Sequence, residues 1–118
     1  NLLSFIGTTA ASLTGGSSTS YVNGPFARSF ASGNANTNFV LFPVGKTDYS
    51  PISLAPSTSS VAVFKAEAFT SNAGTTDATI TSLNTAKRWE APHVSGTFTD
   101  VNVRIADAAL VRLILKYL

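Results

Sequence analysis

Apolar and polar positions along this chain fall into short runs, broken by Gly, Pro, Asn and Ser about every ten residues, the rhythm of an all-β domain. In Val61–Phe69, Ala62, Phe64, Ala66 and Ala68 alternate with Val61, Val63, Lys65, Glu67 and Phe69. A period of two predicts a strand with one buried face and with Lys65 and Glu67 toward water. Phe98–Ala106 repeats the pattern, with Val101, Val103 and Ile105 inward and Asp100, Asn102 and Arg104 outward. Phe26, Arg28 and Phe30 alternate with Ala27, Ser29 and Ala31, a strand carrying Phe on one face. Asn38–Phe42 is nearly all apolar, which predicts a strand buried on both faces or at the sandwich centre, ended by Pro43.

The remaining stretches give shorter elements. Strands are expected near residues 2–6 and 10–14, followed by a polar linker at Ser17–Ser20. Tyr21–Pro25 and Val44–Tyr49 are turns, and Pro51 predicts an edge strand or a bulge over Tyr49–Leu54. Pro56–Ser60 is a turn, Ser71–Thr76 a loop, Ala78–Leu83 a Thr-rich strand, and Ser95-Gly96 a turn. Residues 107–118 fit two readings. A helix capped by Asp107 would align Leu110, Leu113, Ile114 and Tyr117; a strand, which the β context favours, would align Val111, Leu113, Leu115 and Tyr117. The sum is an antiparallel β-sandwich of about seven to nine short strands, with residues 1–118 as one module. Its expected core anchors are Phe39, Val40, Leu41, Phe42, Phe64, Trp89, Val101, Val103 and Ile105.

Composition narrows the function. Charged residues make up 12% of the chain, about half the usual share, so Ser, Thr and Asn must form the polar surface. The net charge is +2 and the eight Lys and Arg are scattered apart from Lys87-Arg88, so no basic stripe matches a row of phosphates and no nucleic-acid partner is expected. With no cysteine, disulfides, thiolate catalysis and zinc–thiolate sites are excluded. No apolar run reaches the length of a membrane-spanning helix. The chain starts at Asn1 without a leader pattern, which reads as a processed product or a fragment of a longer protein. An extracellular or cell-surface location fits this low-charge, cysteine-free composition.

Residues 16–33 (GSSTSYVNGPFARSFASG) and 39–56 (FVLFPVGKTDYSPISLAP) carry a Tyr-Val-Asn-Gly-Pro turn and a Phe-Pro-Val-Gly-Lys turn before a Tyr-x-Pro strand. With RWE at 88–90 and SGTFTDVNVRI at 95–105, they resemble a segment of secreted, type IX-exported, adhesin-like surface proteins of Bacteroidetes. The resemblance implies a β-rich module of large exported proteins, set beside adhesin-like repeats or parallel β-helices, with neighbouring domains as its partners. It implies no catalytic residues and no cofactor.

Candidate chemistry is sparse. The six carboxylates, Asp48, Glu67, Asp77, Glu90, Asp100 and Asp107, show no spacing that pairs them for acid–base work, so no enzyme is expected. His93 has no second His or Cys for a transition metal, and reads as structural. Asp100 and Asn102, joined by Asp77 or Asp107, are too few oxygens for a calcium site; a solvated face is the simpler account. Trp89, Tyr49 and Tyr21 would form a glycan-stacking platform if exposed on one face, making a carbohydrate-binding module the alternative function; otherwise Trp89 is a core plug. The terminal stretches are apolar where chain ends ordinarily fray: Leu2, Leu3, Phe5 and Ile6 at one end, Val111, Leu113, Leu115 and Tyr117 at the other. Either set can close the module's own sheet or add a strand to a neighbour, in which case residues 1–20 form an exchanged strand and its linker and the module becomes a filament subunit.

Overall fold

The structure is a computed structural model that describes residues 2–70 and 88–105. Its regular structure is β throughout, apart from one 3-10 turn at Ala10–Ser12. The strands are β1 (Leu3–Phe5), β2 (Val22–Asn23), β3 (Phe26–Phe30), β4 (Val40–Phe42), β5 (Val44–Gly45), β6 (Ile52–Thr58), β7 (Ala62–Phe69), β8 (Arg88–Glu90), β9 (His93–Ser95) and β10 (Phe98–Ile105). Five of them form one sheet in the order β1-β3-β7-β8, with β9 also on β7; β10-β6-β4 form a second sheet, and β2-β5 a small third.

Two pairings depart from the antiparallel expectation. β1 runs parallel to β3, and β2 parallel to β5, so the sheets are mixed. A parallel partner cannot follow through a tight turn. The chain therefore spends residues 6–25 returning from the end of β1 to the start of β3, and residues 6–21, before β2, hold one regular element, the 3-10 turn. That turn replaces the strand expected near 10–14, because Ser12 bonds back to the Thr9 carbonyl through both its amide (3.2 Å) and its hydroxyl (2.6 Å). Such local side-chain bonds compete with a ladder.

The first sheet is packed by alternating large and small residues across the strands. Phe26 and Phe30 of β3 lie opposite Ala66 and Ala62 of β7, and Trp89 of β8 lies opposite Ala68. Ala62, Phe64, Ala66 and Ala68 are all buried, as the period of two requires. Rings from the first sheet meet the second at Phe42 of β4, with centroids 6.2 Å from both Phe26 and Phe30, and Val40, Ile52 and Leu54 complete that side of the core. Trp89 is fully buried and donates its indole N–H to the Ser50 carbonyl (2.8 Å), tying β8 to the entry of β6.

Several expected core anchors sit elsewhere. Phe39 precedes β4 and is half-buried beneath the Arg104 guanidinium, 3.9 Å from its ring centroid. Leu41 is half-buried, so β4 has one buried face rather than two. Val101, Val103 and Ile105 are partly buried, because β10 is the outer strand of its sheet. Lys65 and Glu67, expected in water, are half-buried on a strand paired along both edges. Tyr49–Leu54 does not form an edge strand: β6 is central, it starts after Pro51, and it continues through Pro56 into the stretch expected to turn. Pro56 is tolerated because β4 pairs with β6 only as far as Leu54, and the β10 ladder is irregular between Phe98 and Val101, beside the Pro56 pairing.

Two crossings between the large sheets lie side by side. Ser59 donates its amide to the Thr97 carbonyl (3.1 Å), and Thr97 donates its own to the Ser60 hydroxyl (3.0 Å). Gly96 has φ +84°, and a Cβ there would collide with the Val61 carbonyl oxygen and Ala62 Cα, so glycine is needed at this corner. The loop after β3 is locked by buried Asn34, whose amide nitrogen donates to the Pro56 carbonyl (2.8 Å) and whose side-chain oxygen accepts from Asn38 (2.7 Å). Residues 71–87 and 106–118, with the expected strand at Ala78–Leu83 and both readings of the tail, lie outside the described residues.

The large–small alternation makes Ala66 a sensitive position. Ala66→Leu would force a second bulky group beside Phe26 and is expected to cost about 2 kcal/mol. A urea titration should show a lower midpoint at unchanged slope.

Candidate interaction site at the first strand

β1 is an edge strand of three residues on the outside of β3, with the register Leu3 to Phe26, Ser4 to Ala27 and Phe5 to Arg28. The Leu3 amide adds one bond to the Pro25 carbonyl (3.3 Å). Around it the apolar side chains are poorly covered: Leu2 is 50% exposed, Leu3 53% and Ile6 85%. Only Phe5 packs against the core cluster. β1 is therefore held by a short ladder and one ring, and its outer edge has no strand partner among the described residues.

Beneath this strand lies a group the sequence did not single out. Arg28 is on β3 and shares its face with Phe26 and Phe30, so its side chain points into the molecule and is 1% exposed. Nη1 donates to the Leu41 carbonyl on β4 (2.7 Å) and Nη2 to the Thr9 carbonyl (3.2 Å). The guanidinium carbon lies 5.4 Å from the centroid of Phe5, within cation–π range. Nε is buried with no hydrogen-bond partner, and among the described residues no carboxylate pairs with Arg28. Burial pulls its pKa below the ordinary guanidinium value. Arg28 links the first sheet to the edge strand of the second, and two of these three guanidinium contacts, Phe5 and Thr9, come from the first nine residues. The signal was present in the sequence as an arginine in phase with two phenylalanines.

The other candidate residues are separated. Tyr21 and Tyr49 come together, with ring centroids 6.3 Å apart and planes tilted by 31°, and the Tyr21 hydroxyl donates to the Lys46 carbonyl (3.4 Å). Part of this pair is used by the backbone: a Cβ on Gly45 would meet the Tyr21 ring, and one on Gly16 would lie 2.7 Å from the Tyr49 hydroxyl. Trp89 does not join them. It is fully buried, so the three-ring platform is corrected to a pair of half-buried tyrosines, and the indole is a core plug. Burial raises the Tyr49 phenol above its ordinary pKa.

His93 on β9 is packed between Phe64 (5.2 Å) and Phe98 (4.8 Å), and its Nε2 is buried without a partner. Asp100 and Asn102 face Asn36, whose side chain donates to Asp100 (3.4 Å) and whose carbonyl accepts from Asn102 (2.8 Å). Among the described residues, no three His, Asp or Glu side chains converge as a metal site would require. Asp77, Asp107, Val111, Leu113, Leu115 and Tyr117 lie outside the described residues. No helix among the described residues is long and apolar enough to cross a membrane. No family model matches the chain, and no curated protein or solved structure is significantly similar to it.

Two outcomes follow for the aromatic residues. Trp89 emission should be blue-shifted from that of free indole, resistant to iodide quenching, and unchanged by added oligosaccharides; ready quenching in the folded protein would contradict its burial. For Tyr49, a pKa raised in the folded state means that its share of stability is complete below the ordinary phenol pKa and is lost as pH climbs through the raised value. Tyr49→Phe should therefore lose less stability than the parent protein when denaturation is repeated from pH 9 upward.

Proposed function

We propose that this chain is an extracellular structural or adhesion module of a bacterial surface protein, assembling with a neighbour by strand addition at the position of β1. The observation that carries this reading is β1 itself. A parallel edge strand of three residues, flanked by exposed Leu2, Leu3 and Ile6, is joined to the rest of the molecule through residues 6–21. Short edge strands on long connections are the elements that proteins exchange, because the same main-chain bonds form whichever copy supplies the strand. The two larger sheets are read as the halves of a β-sandwich, supported by the contacts of Phe26 and Phe30 with Phe42. The low-charge, cysteine-free composition and the resemblance of residues 16–33 and 39–56 to exported surface modules support the location.

The absence of cysteine permits a direct test. Ser4 and Ala27 are register partners in β1 and β3, so cysteines at these positions form a disulfide when the two strands pair. Chains carrying only Ser4→Cys are mixed with chains carrying only Ala27→Cys under oxidising conditions. A specific cross-linked dimer of the two variants, and longer species when both cysteines share one chain, are expected if strands exchange. Only intramolecular bonds in the double variant, with no mixed dimer, would sink the proposal.

A further inference from the structure

Arg28 presents an unusual combination of features. It is a buried cation on a sheet face otherwise lined by Phe26 and Phe30, and neutral carbonyls are its hydrogen-bond partners. Burying a charge without an opposite charge is costly, and the cost falls when a carboxylate is placed against it. The guanidinium has two edges. Its end, through Nη1, is fixed to the Leu41 carbonyl of β4. Its side edge, formed by Nε and Nη2, is the one that accepts a carboxylate through two parallel bonds. Here that edge holds a single 3.2 Å bond from Nη2 to Thr9, and Nε has none. The residue beside it in register is Phe5, on the exchangeable strand. Residues 1–20 contain no Asp or Glu, so the chain's own first segment has no side chain able to fill that edge with charge.

We propose that Arg28 is the recognition residue of the β1 slot, and that the slot is shaped for an extended segment of a partner protein bearing a carboxylate side chain where Phe5 now lies. The chain's own residues 3–9 act as a resident stand-in, covering Arg28 with a ring and a carbonyl. An incoming acidic strand forms the same short parallel ladder on β3 and adds a bidentate, charge-assisted pair to the Nε/Nη2 edge, while Nη1 stays on Leu41. The proposal rests on the strand-addition reading only in requiring that residues 1–9 can leave the slot.

Its chemistry is tested first within the full chain. Phe5→Glu and Phe5→Gln are compared by urea denaturation, each with Arg28 and with Arg28→Met. With Arg28 present at pH 7, the Glu variant should have a folding constant at least about tenfold above that of the Gln variant. The advantage should vanish with Arg28→Met, and also as pH falls below about 4, where the carboxyl protonates. A Glu variant no more stable than the Gln variant would reduce Arg28 to a structural cation and overturn the proposal.

The partner is tested second, in trans. Full-length protein carrying a fluorophore on Ser4→Cys is titrated with ten-residue peptides of the sequence of residues 1–10, with Glu or Gln at position 5. Release of the resident strand should appear as a fall in anisotropy, at about tenfold lower concentration for the Glu peptide, with that difference shrinking in high salt. Equal release by both peptides leaves strand exchange standing and overturns the carboxylate preference. Release by neither overturns the slot as a docking site, and the strand-addition reading with it.

Discussion

The fold depends on fitting five large aromatic side chains, Phe26, Phe30, Phe42, Phe64 and Trp89, between strands that no disulfide can staple. The register of the first sheet solves this by placing an alanine of β7 opposite each inward ring of its neighbours: Ala66 to Phe26, Ala62 to Phe30, Ala68 to Trp89. Interiors pack as densely as organic crystals, so the space for a ring must come from the residue beside it. β7 can therefore carry only one large inward side chain, Phe64, and the residues opposite it on its two sides are Arg28 and His93 rather than alanines. The arginine lies in the one register position where the large–small alternation breaks.

What the sequence made legible was periodicity; what it hid was pairing. Val61–Phe69 and Phe26–Ala31 appear nearly as read, because alternation over five or more residues specifies both a strand and its buried face. The parallel placement of β1 was invisible, since the sense of a strand is decided by a partner more than twenty residues away. Proline misled in a specific way. Pro51 signals an edge strand or a bulge and Pro56 a turn, yet β6 is central, because the missing amide of Pro56 falls beyond the last residue that β4 reaches. Continuous apolarity in Asn38–Phe42 misled in another: Arg104 covers Phe39 from outside the core, so an aromatic ring was hidden by a charge rather than by apolar neighbours.

The same limit applies to the candidate site. The sequence leaves Trp89 open between platform and plug, and the Ser50 carbonyl, thirty-nine residues distant, decides it by satisfying the indole N–H inside the core. Arg28 was in phase with Phe26 and Phe30 in the sequence, but phase alone cannot separate a buried arginine from one that snorkels to the surface. Its burial follows from where the two sheet edges meet: β4 is the outer strand of its sheet, its Leu41 carbonyl needs a donor, and β1 closes over the guanidinium from the other side.

That closure also explains why β1 is so short. A long first strand would lock onto β3 through a full ladder, and a parallel ladder of three residues holds it with few bonds. Phe5 alone contributes apolar burial, while Leu2, Leu3 and Ile6 are left largely in water, an arrangement that gives up stability the same residues would supply in a fully covered strand. Residues 6–21 add length without a ladder to hold it. A segment that merely completed a sheet would gain from a longer strand or a shorter connection. Under the proposed strand addition, a segment that seals a buried cation and also yields its place to another strand gains from neither.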